Sequence, residues 1–180
     1  GRALSLIREQ RPWMVFLSPP STQFSKWNPT AEHQPGPAVL EKRQDEALTL
    51  WSFAMEVAEA QRTEGRKFAL GHPRGALSWN LASAQWMTQQ KGVGKVTVDM
   101  CRFGLCARPG TASEKPTTIL TNDAHLLAAL QGHRWAGDHD HFIPANAVPA
   151  EAAKYTEAFC RKVAGAIGKS RRAQERIGSW

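Results

Sequence analysis

Trp13-Met-Val-Phe-Leu-Ser-Pro-Pro-Ser-Thr-Gln-Phe-Ser25 is the stretch that decides the fold. Residues 13–17 are all apolar, and so short a run without charges or turn formers predicts a fully buried strand rather than a helix. Proline has no amide hydrogen, so Pro19 and Pro20 take the chain out of the sheet. Ligands of open α/β sheets bind outside the carboxyl ends of the strands. The loop after this strand is therefore a candidate binding site, although Pro-Pro also suits an ordinary strand exit.

The segments around this strand predict an α/β layer structure. Apolar runs bounded by turn formers predict strands at 13–17, 67–70, 95–100 and 116–121. Helical spacing and capping residues predict helices at 2–10, 39–63, the second half of 76–90, 124–131 and 150–167. We expect Leu50 on the apolar side of the second helix, Asp123 as the cap of the fourth and Pro149 at the start of the last. A Gly/Pro-containing loop joins the last two strands, which makes them antiparallel neighbours. Because strands and helices alternate, we expect a mainly parallel sheet with one antiparallel strand. Residues 18–27 and 71–79 both leave strands through proline-containing turns, so we expect them to meet at one rim of this sheet.

Length and composition indicate one domain. The chain has 180 residues, 42% of them hydrophobic and 22% charged, which is typical of a globular domain. We expect a single α/β domain over 1–168 and a basic tail over 169–180. No apolar run approaches the roughly 20 residues that cross a bilayer, so no membrane partner is expected. Three cysteines, an odd number, argue against a disulfide framework and favour an intracellular, reducing compartment, nuclear or cytoplasmic.

The net charge favours an anionic partner. It is +7, and the sequence pI is about 9.7, which makes nucleic acid the usual candidate. Part of the excess is local, because six cations crowd residues 161–176: Arg161, Lys162, Lys169, Arg171, Arg172 and Arg176. A solvated helix end explains such a run equally well. The predicted nucleic-acid contacts are Lys169, Arg171, Arg172 and Arg176.

Several motifs resemble those of one enzyme family. The sequence Pro19-Pro-Ser-Thr-Gln-Phe-Ser25 resembles the Pro-Pro-Cys-x-x-Phe-Ser loop of cytosine 5-DNA methyltransferases. The chain up to about residue 141 is more similar still to methyltransferase-like segments of protist retroelement polyproteins, of the copia and gag-pol kind. The matching positions are Gly71-His72-Pro73, Ser78-Trp79, Asp99-x-Cys101-x-Phe103-Gly104-Leu105, Lys115-Pro116-Thr117 and Thr121-Asn122.

This resemblance implies the second half of the doubly wound, Rossmann-like methyltransferase sheet. The strands that carry the S-adenosylmethionine site in such enzymes would lie upstream of Gly1. No cofactor is therefore expected on this chain alone, and S-adenosylmethionine is expected only if an N-terminal half, such as an upstream polyprotein segment, completes it. DNA is favoured over RNA as the partner. The substrate-binding residues that the resemblance implies are Pro19, Pro20, Phe24, Ser25, His72, Pro73 and Arg74.

The catalytic positions depart from the family pattern. Ser21 stands where those methyltransferases carry the cysteine nucleophile, and Gly71 stands where they carry the assisting glutamate. A serine without an adjacent base is a much weaker nucleophile than a cysteine, and glycine has no side chain to move a proton. We therefore expect no methyl transfer from this chain alone.

Two other constellations are weaker alternatives. Cys101, Cys106, His139 and His141 are possible metal ligands, but the Cys-x4-Cys spacing is not that of common zinc sites, and no metal is expected. Ser21, His72 and Asp99 would form a hydrolase triad only if three strand ends brought them together. No Gly-x-Ser-x-Gly elbow supports that triad.

Three hypotheses of function follow. The leading one is a degenerate, catalytically inactive methyltransferase-like module of a retroelement polyprotein that binds nucleic acid or serves a structural role. The second is half of an active S-adenosylmethionine-dependent DNA methyltransferase, completed by an upstream segment. The third is a metal-stabilised interaction domain.

Overall fold

Four strands form the main sheet of the computed structural model, which describes residues 2–24, 36–108, 110–141 and 154–177. The strands are β1 (Met14–Leu17), β2 (Lys67–Pro73), β3 (Gly94–Asp99) and β6 (Pro116–Thr121). The short strands β4 (Cys106–Arg108) and β5 (Thr111–Ala112) pair separately. The helices are α1 (Arg2–Gln10), α2 (Pro37–Thr63), α3 (Ala82–Thr88), α4 (Ala124–Leu130) and α5 (Glu157–Ile177).

The main sheet is mixed and has the order β1-β2-β6-β3. The pair β1–β2 is parallel, while β6 is antiparallel to both β2 and β3. As predicted, three strands share one direction and the fourth opposes them. The expectation of mainly parallel pairing is wrong, because β6 lies between β2 and β3 and makes two of the three pairings antiparallel.

Helices cover both faces of this sheet. On one face, Phe68 and Leu70 of β2 pack with Trp51 of α2 and with α3. On the other face, Ala69 and Ile119 pack with α4 and α5. Alternate residues of a strand point to opposite faces, so β2 contributes Phe68, Leu70 and His72 to the α2 side. Two buried clusters thus sandwich the sheet.

Several boundaries differ from the predictions. β2 continues through residues 71–73, because these pair with β6 up to Pro73↔Thr117. β1 is half-buried rather than fully buried, since it is the edge strand of the described sheet. In α2, Leu50 was expected on the apolar side but is 45% exposed. No helix in the described part of the chain is long and apolar enough to cross a membrane.

The last helix differs most from its prediction. It was expected over 150–167, but α5 begins at Glu157 and continues to Ile177. The buried positions Val163, Ala166 and Ser170 keep helical spacing past residue 167, so the packed face extends into the basic segment. The expected boundary between domain and tail, at residue 168, therefore falls inside α5. Pro149, expected to open this helix, lies outside the described residues.

Candidate functional site

The loop after β1 and the end of β2 meet at one rim of the sheet. Parallel pairing of Leu17 with Leu70 places both strand exits on the same side. Phe24, in the helical turn Thr22–Phe24, is buried, and its ring centroid lies 5.7 Å from that of His72. This meeting of the two segments was predicted from their proline-containing exits, and it is confirmed for the described residues 18–24 and 71–79.

His72 is a core residue at this rim. Only 1% of its surface is exposed, and its Nδ1 lies 2.8 Å from the Ser78 hydroxyl oxygen. Its ring centroid is 5.2 Å from that of Trp51. Burial lowers the pKa of His72 to about 4, against the opposing effect of the carbonyl groups of Pro20 and Pro19. The imidazole is therefore neutral at pH 7 and does not reach the surface to bind a substrate.

The other predicted substrate-binding residues are divided between core and surface. Phe24 is buried like His72, Pro19 and Pro73 are half-buried, and Pro20 and Arg74 are exposed. Ser25 lies outside the described residues, and so does Trp27. Among the described members of this set, the rim thus offers solvent mainly a proline ring and one guanidinium group.

The two expected catalytic positions, Ser21 and Gly71, lie in segments that pack on opposite sides of the sheet. A Cβ atom built on Gly71 would overlap the Tyr155 hydroxyl and lie 3.1 Å from the Ile119 Cδ1 atom, both on the α5 side of the sheet. The loop that carries Ser21 instead folds over the α2 side through Phe24. Position 71 has no room for a glutamate while Tyr155 keeps its place. No pattern in the sequence indicated that Tyr155 would neighbour this position.

The alternative hydrolase triad is not assembled. Asp99 is fully buried, and its Oδ2 atom accepts hydrogen bonds from the Arg134 Nε atom and the Trp135 amide, both at 2.7 Å. The hydrogen bond of the His72 ring is with Ser78 instead. Asp99 therefore anchors the segment after α4 rather than orienting His72.

The cations of α5 form a stripe on one side of the helix. At 100° per residue, five side chains fall within an arc of about 100°. We call this set the basic face of α5, and its members are Arg161, Lys162, Lys169, Arg172 and Arg176, all exposed. The buried residues Phe159, Val163 and Ala166 lie outside this arc and pack on the core. The stripe is therefore presented to solvent.

Intrahelical ion pairs neutralise only part of the charge on α5. Arg171 lies about 80° outside the basic face and pairs with Glu175 at 3.1 Å. Within the basic face, Arg161 pairs with Glu157. Lys162, Lys169 and Arg172 make no ion pair with any described residue. The sequence prediction thus included Arg171 and omitted Arg161 and Lys162, because it ended the helix before the stripe could be recognised.

A second cluster brings together three potential metal ligands. The ligand atoms of Cys101, His139 and His141 all lie within 4.8 Å of one another. Cys106, the fourth ligand that the sequence suggested, is exposed and is not part of this group. The ring of Trp135 packs on His141, with centroids 4.6 Å apart.

The fold and these surfaces define a mixed α/β protein with a basic helix face. No protein-family model, no curated protein and no solved structure matches the chain.

Proposed function

We propose that this chain is a DNA-binding domain built on half of a doubly wound, methyltransferase-like sheet, and that it does not transfer methyl groups itself. The basic face of α5 carries the proposal. Its five cations share one side of a packed helix, and no acidic residue falls within the stripe. A rigid row of positive charge matches the phosphate backbone of nucleic acid.

Phosphate contacts provide affinity without sequence selectivity. Lysine and arginine displace the counterions condensed on DNA, and this release drives binding. Lys162, Lys169 and Arg172 suit this role, because no described carboxylate pairs with them and their charge remains available to phosphates. No base-reading element is assigned, so the expected binding is weak and independent of sequence.

The sheet supports the methyltransferase-like part of the proposal. β1, β2 and β3 run in one direction, and the crossover helices α2 and α3 lie on the same face. Helices α4 and α5 cover the other face. This layering is that expected of one half of a doubly wound sheet, with β6 inserted antiparallel between β2 and β3.

The rim supports the absence of methyl transfer. Ser21 replaces the thiol nucleophile of the enzymes that the chain resembles. Tyr155 occupies the space into which a glutamate at position 71 would extend. Losing one member of a catalytic set already costs several orders of magnitude in rate, and a second loss leaves little activity to remove.

One observation favours the second candidate, an enzyme half completed by an upstream segment. The outer edge of β1 is unpaired within the described sheet, and its side chains are only half-buried. An apolar edge strand is a template for further pairing. Additional strands of a doubly wound sheet would join at this edge.

DNA binding is tested by fluorescence anisotropy with a labelled duplex at several salt concentrations. We expect the unmodified chain to bind with an affinity that falls steeply with salt. A Lys162→Ala/Lys169→Ala/Arg172→Ala variant should bind more weakly, and its log–log salt slope should decrease by about 0.9 for each lost phosphate contact.

The matched control removes the same charge elsewhere. Lys42, Arg43 and Lys91 are exposed and distant from α5 in sequence, and their triple alanine variant should keep most of the affinity and slope. Equal losses in both variants would mean that net charge, rather than the basic face, determines binding. Unchanged binding in the α5 variant would overturn the proposal.

Inactivity is tested by calorimetric titration with S-adenosylmethionine, followed by a methyl-transfer assay on cytosine-containing DNA. We expect neither cofactor binding nor transfer. A Ser21→Cys/Gly71→Glu variant should stay inactive, because the glutamate displaces Tyr155 and no cofactor is bound. Micromolar cofactor binding by the unmodified chain would favour the enzyme-half candidate instead.

A further inference from the structure

The segment 133–141 crosses the end of β3 and brings two histidines against Cys101. Asp99 anchors its start through the Arg134 side chain and the Trp135 amide. Arg102, next to Cys101, pairs with Asp138 at 2.6 Å and holds the histidine end near the turn Met100–Phe103. The segment has little hydrophobic burial of its own, since most of its residues are exposed. Its position therefore depends on these polar contacts and on the stacking of the His133 ring on Phe103.

The two histidines direct the same nitrogen at each other. The Nε2 atoms of His139 and His141 are 3.1 Å apart. Their Nδ1 atoms face carboxylates instead: that of His139 lies 3.1 Å from Asp138, and that of His141 lies 3.9 Å from Glu114. The tautomer with its hydrogen on Nδ1, on the carboxylate side, leaves a lone pair on each Nε2 atom. Two lone pairs at this distance repel unless a cation lies between them.

The spacing of the two Nε2 atoms suits tetrahedral zinc. Two nitrogens bound at about 2.0–2.1 Å in a tetrahedron lie about 3.3 Å apart. A thiolate together with imidazoles is a ligand set that favours zinc over magnesium or calcium. Carboxylates on the far nitrogens of metal-bound histidines are the usual outer partners, because they fix ring orientation and raise ligand basicity. Asp138 occupies that place for His139, and Glu114 lies on the Nδ1 side of His141 at a longer distance.

We propose that Cys101, His139 and His141 bind one zinc ion that fastens the segment 133–141 to the end of β3. The three side chains supply one sulfur and two nitrogen ligands, and water completes the tetrahedron. Trp135 packs beside His141 and shields one side of the ion. This site is independent of the basic face of α5.

The first test uses the full chain, stripped of metal by a chelator and kept reduced, and titrates it with Co²⁺. We expect one ion per chain, a thiolate-to-cobalt charge-transfer band, and displacement of Co²⁺ by Zn²⁺. Cys101→Ser should lose the band, and His141→Asn should lose most of the affinity. Asp138→Asn, which removes an outer partner, should bind about 10–100-fold more weakly.

The matched controls are the other two thiols. Cys106 and Cys160 are exposed and outside the cluster, so Cys106→Ser and Cys160→Ser should bind Co²⁺ like the unmodified chain. A Cys101→Ser variant that keeps the band and the affinity would overturn the proposal.

A second measurement needs no variant. Alkylation of each cysteine in the unmodified chain is followed by mass spectrometry with and without Zn²⁺. We expect zinc to protect Cys101 at least 10-fold more than Cys106 or Cys160, because a bound thiolate is a poor nucleophile. Equal alkylation of Cys101 in both conditions would mean that the two histidines only hydrogen-bond to each other.

Discussion

The hydroxyl group of Tyr155 fills the space beside Gly71 in which a side chain at position 71 would begin. Tyr155 has little freedom to withdraw, because its ring stacks on Phe159 with centroids 4.8 Å apart and meets Phe16 edge-on at 5.7 Å. Its hydroxyl also lies 3.4 Å from the Ser18 hydroxyl at the exit of β1. Glycine at position 71 is therefore required by packing.

The first prediction is that Gly71→Ala destabilises the fold. The added Cβ atom would overlap the Tyr155 side chain, whose ring is held in place by its neighbours. The repacking that this forces lowers the free energy of unfolding by about 1–3 kcal/mol. Tyr155→Phe removes the obstructing oxygen, so the double variant should recover much of this loss in urea unfolding. Gly75 has nothing within 4 Å of its added Cβ, and Gly75→Ala is the matched control. Equal costs at the two glycines, or no recovery in the double variant, would contradict the packing argument.

The second prediction is that the fold loses stability at acidic pH because His72 is buried. The pKa of His72 falls from an ordinary 6.5 to about 4 in the folded chain. Above about pH 6.5 both states are neutral at this residue and the fold has its full stability. Between about pH 6.5 and 4, His72 is protonated in the unfolded chain but stays neutral in the folded chain. The free energy of unfolding therefore falls as the pH falls. The loss is about 3 kcal/mol and is complete below pH 4.

Urea titrations at pH 7 and pH 4.5 measure this loss. His72→Gln removes the titrating group, so the variant should be less stable at pH 7 but lose less stability on acidification. An equal loss in the variant would assign the acid sensitivity to other residues.

The third prediction compares two arginines. Arg134 pairs with Asp99, whose side chain is 1% exposed, whereas Arg102 pairs with the half-exposed Asp138. Arg134→Met leaves a buried carboxylate short of one charged donor and should cost about 1–3 kcal/mol of unfolding free energy. Arg102→Met should cost less than about 1 kcal/mol. Thermal unfolding with metal removed compares the two variants, and a larger loss of stability in Arg102→Met than in Arg134→Met would contradict this prediction.

The fourth prediction concerns the start of α4. The Asp123 carboxylate accepts a hydrogen bond from the Leu126 amide at 2.8 Å and caps the helix. Asp123→Ala should cost about 1 kcal/mol, while Asp123→Asn keeps an acceptor and should cost less. Urea unfolding separates the two variants, and an asparagine variant as unstable as the alanine one would show that charge, not capping, matters.

Local sequence patterns were enough to predict the positions of most helices and strands. The strands in particular were predicted from apolar runs that end at Gly or Pro. The four main strands, the helix α1 and the cap at Asp123 were predicted from such patterns. The insertion of β6 between β2 and β3 was not, because strand order depends on contacts between segments distant in sequence. Leu50 was misplaced for a related reason: helical periodicity indicates an apolar side but not how far along α2 the sheet reaches.

The candidate sites were predicted less completely than the fold. Residues 18–27 and 71–79 were expected at one rim, but the burial of His72 depends on the rings of Trp51 and Phe24, which come from other segments. The basic face could be recognised only once the helix was known to continue past residue 167. Cys101 and the two histidines were noticed in the sequence, but their approach depends on Asp99 holding the segment after α4.

The central place of β6 sets an order for assembly during synthesis. β2 and β3 have no partner between them until the chain has grown to Thr121, more than 20 residues beyond the end of β3. A nascent chain that has completed only the first three main strands would display one bare backbone edge of β2, a surface on which neighbouring chains can add strands. Ribosome-bound chains of this length therefore expose a pairing edge that β6 covers in the finished fold.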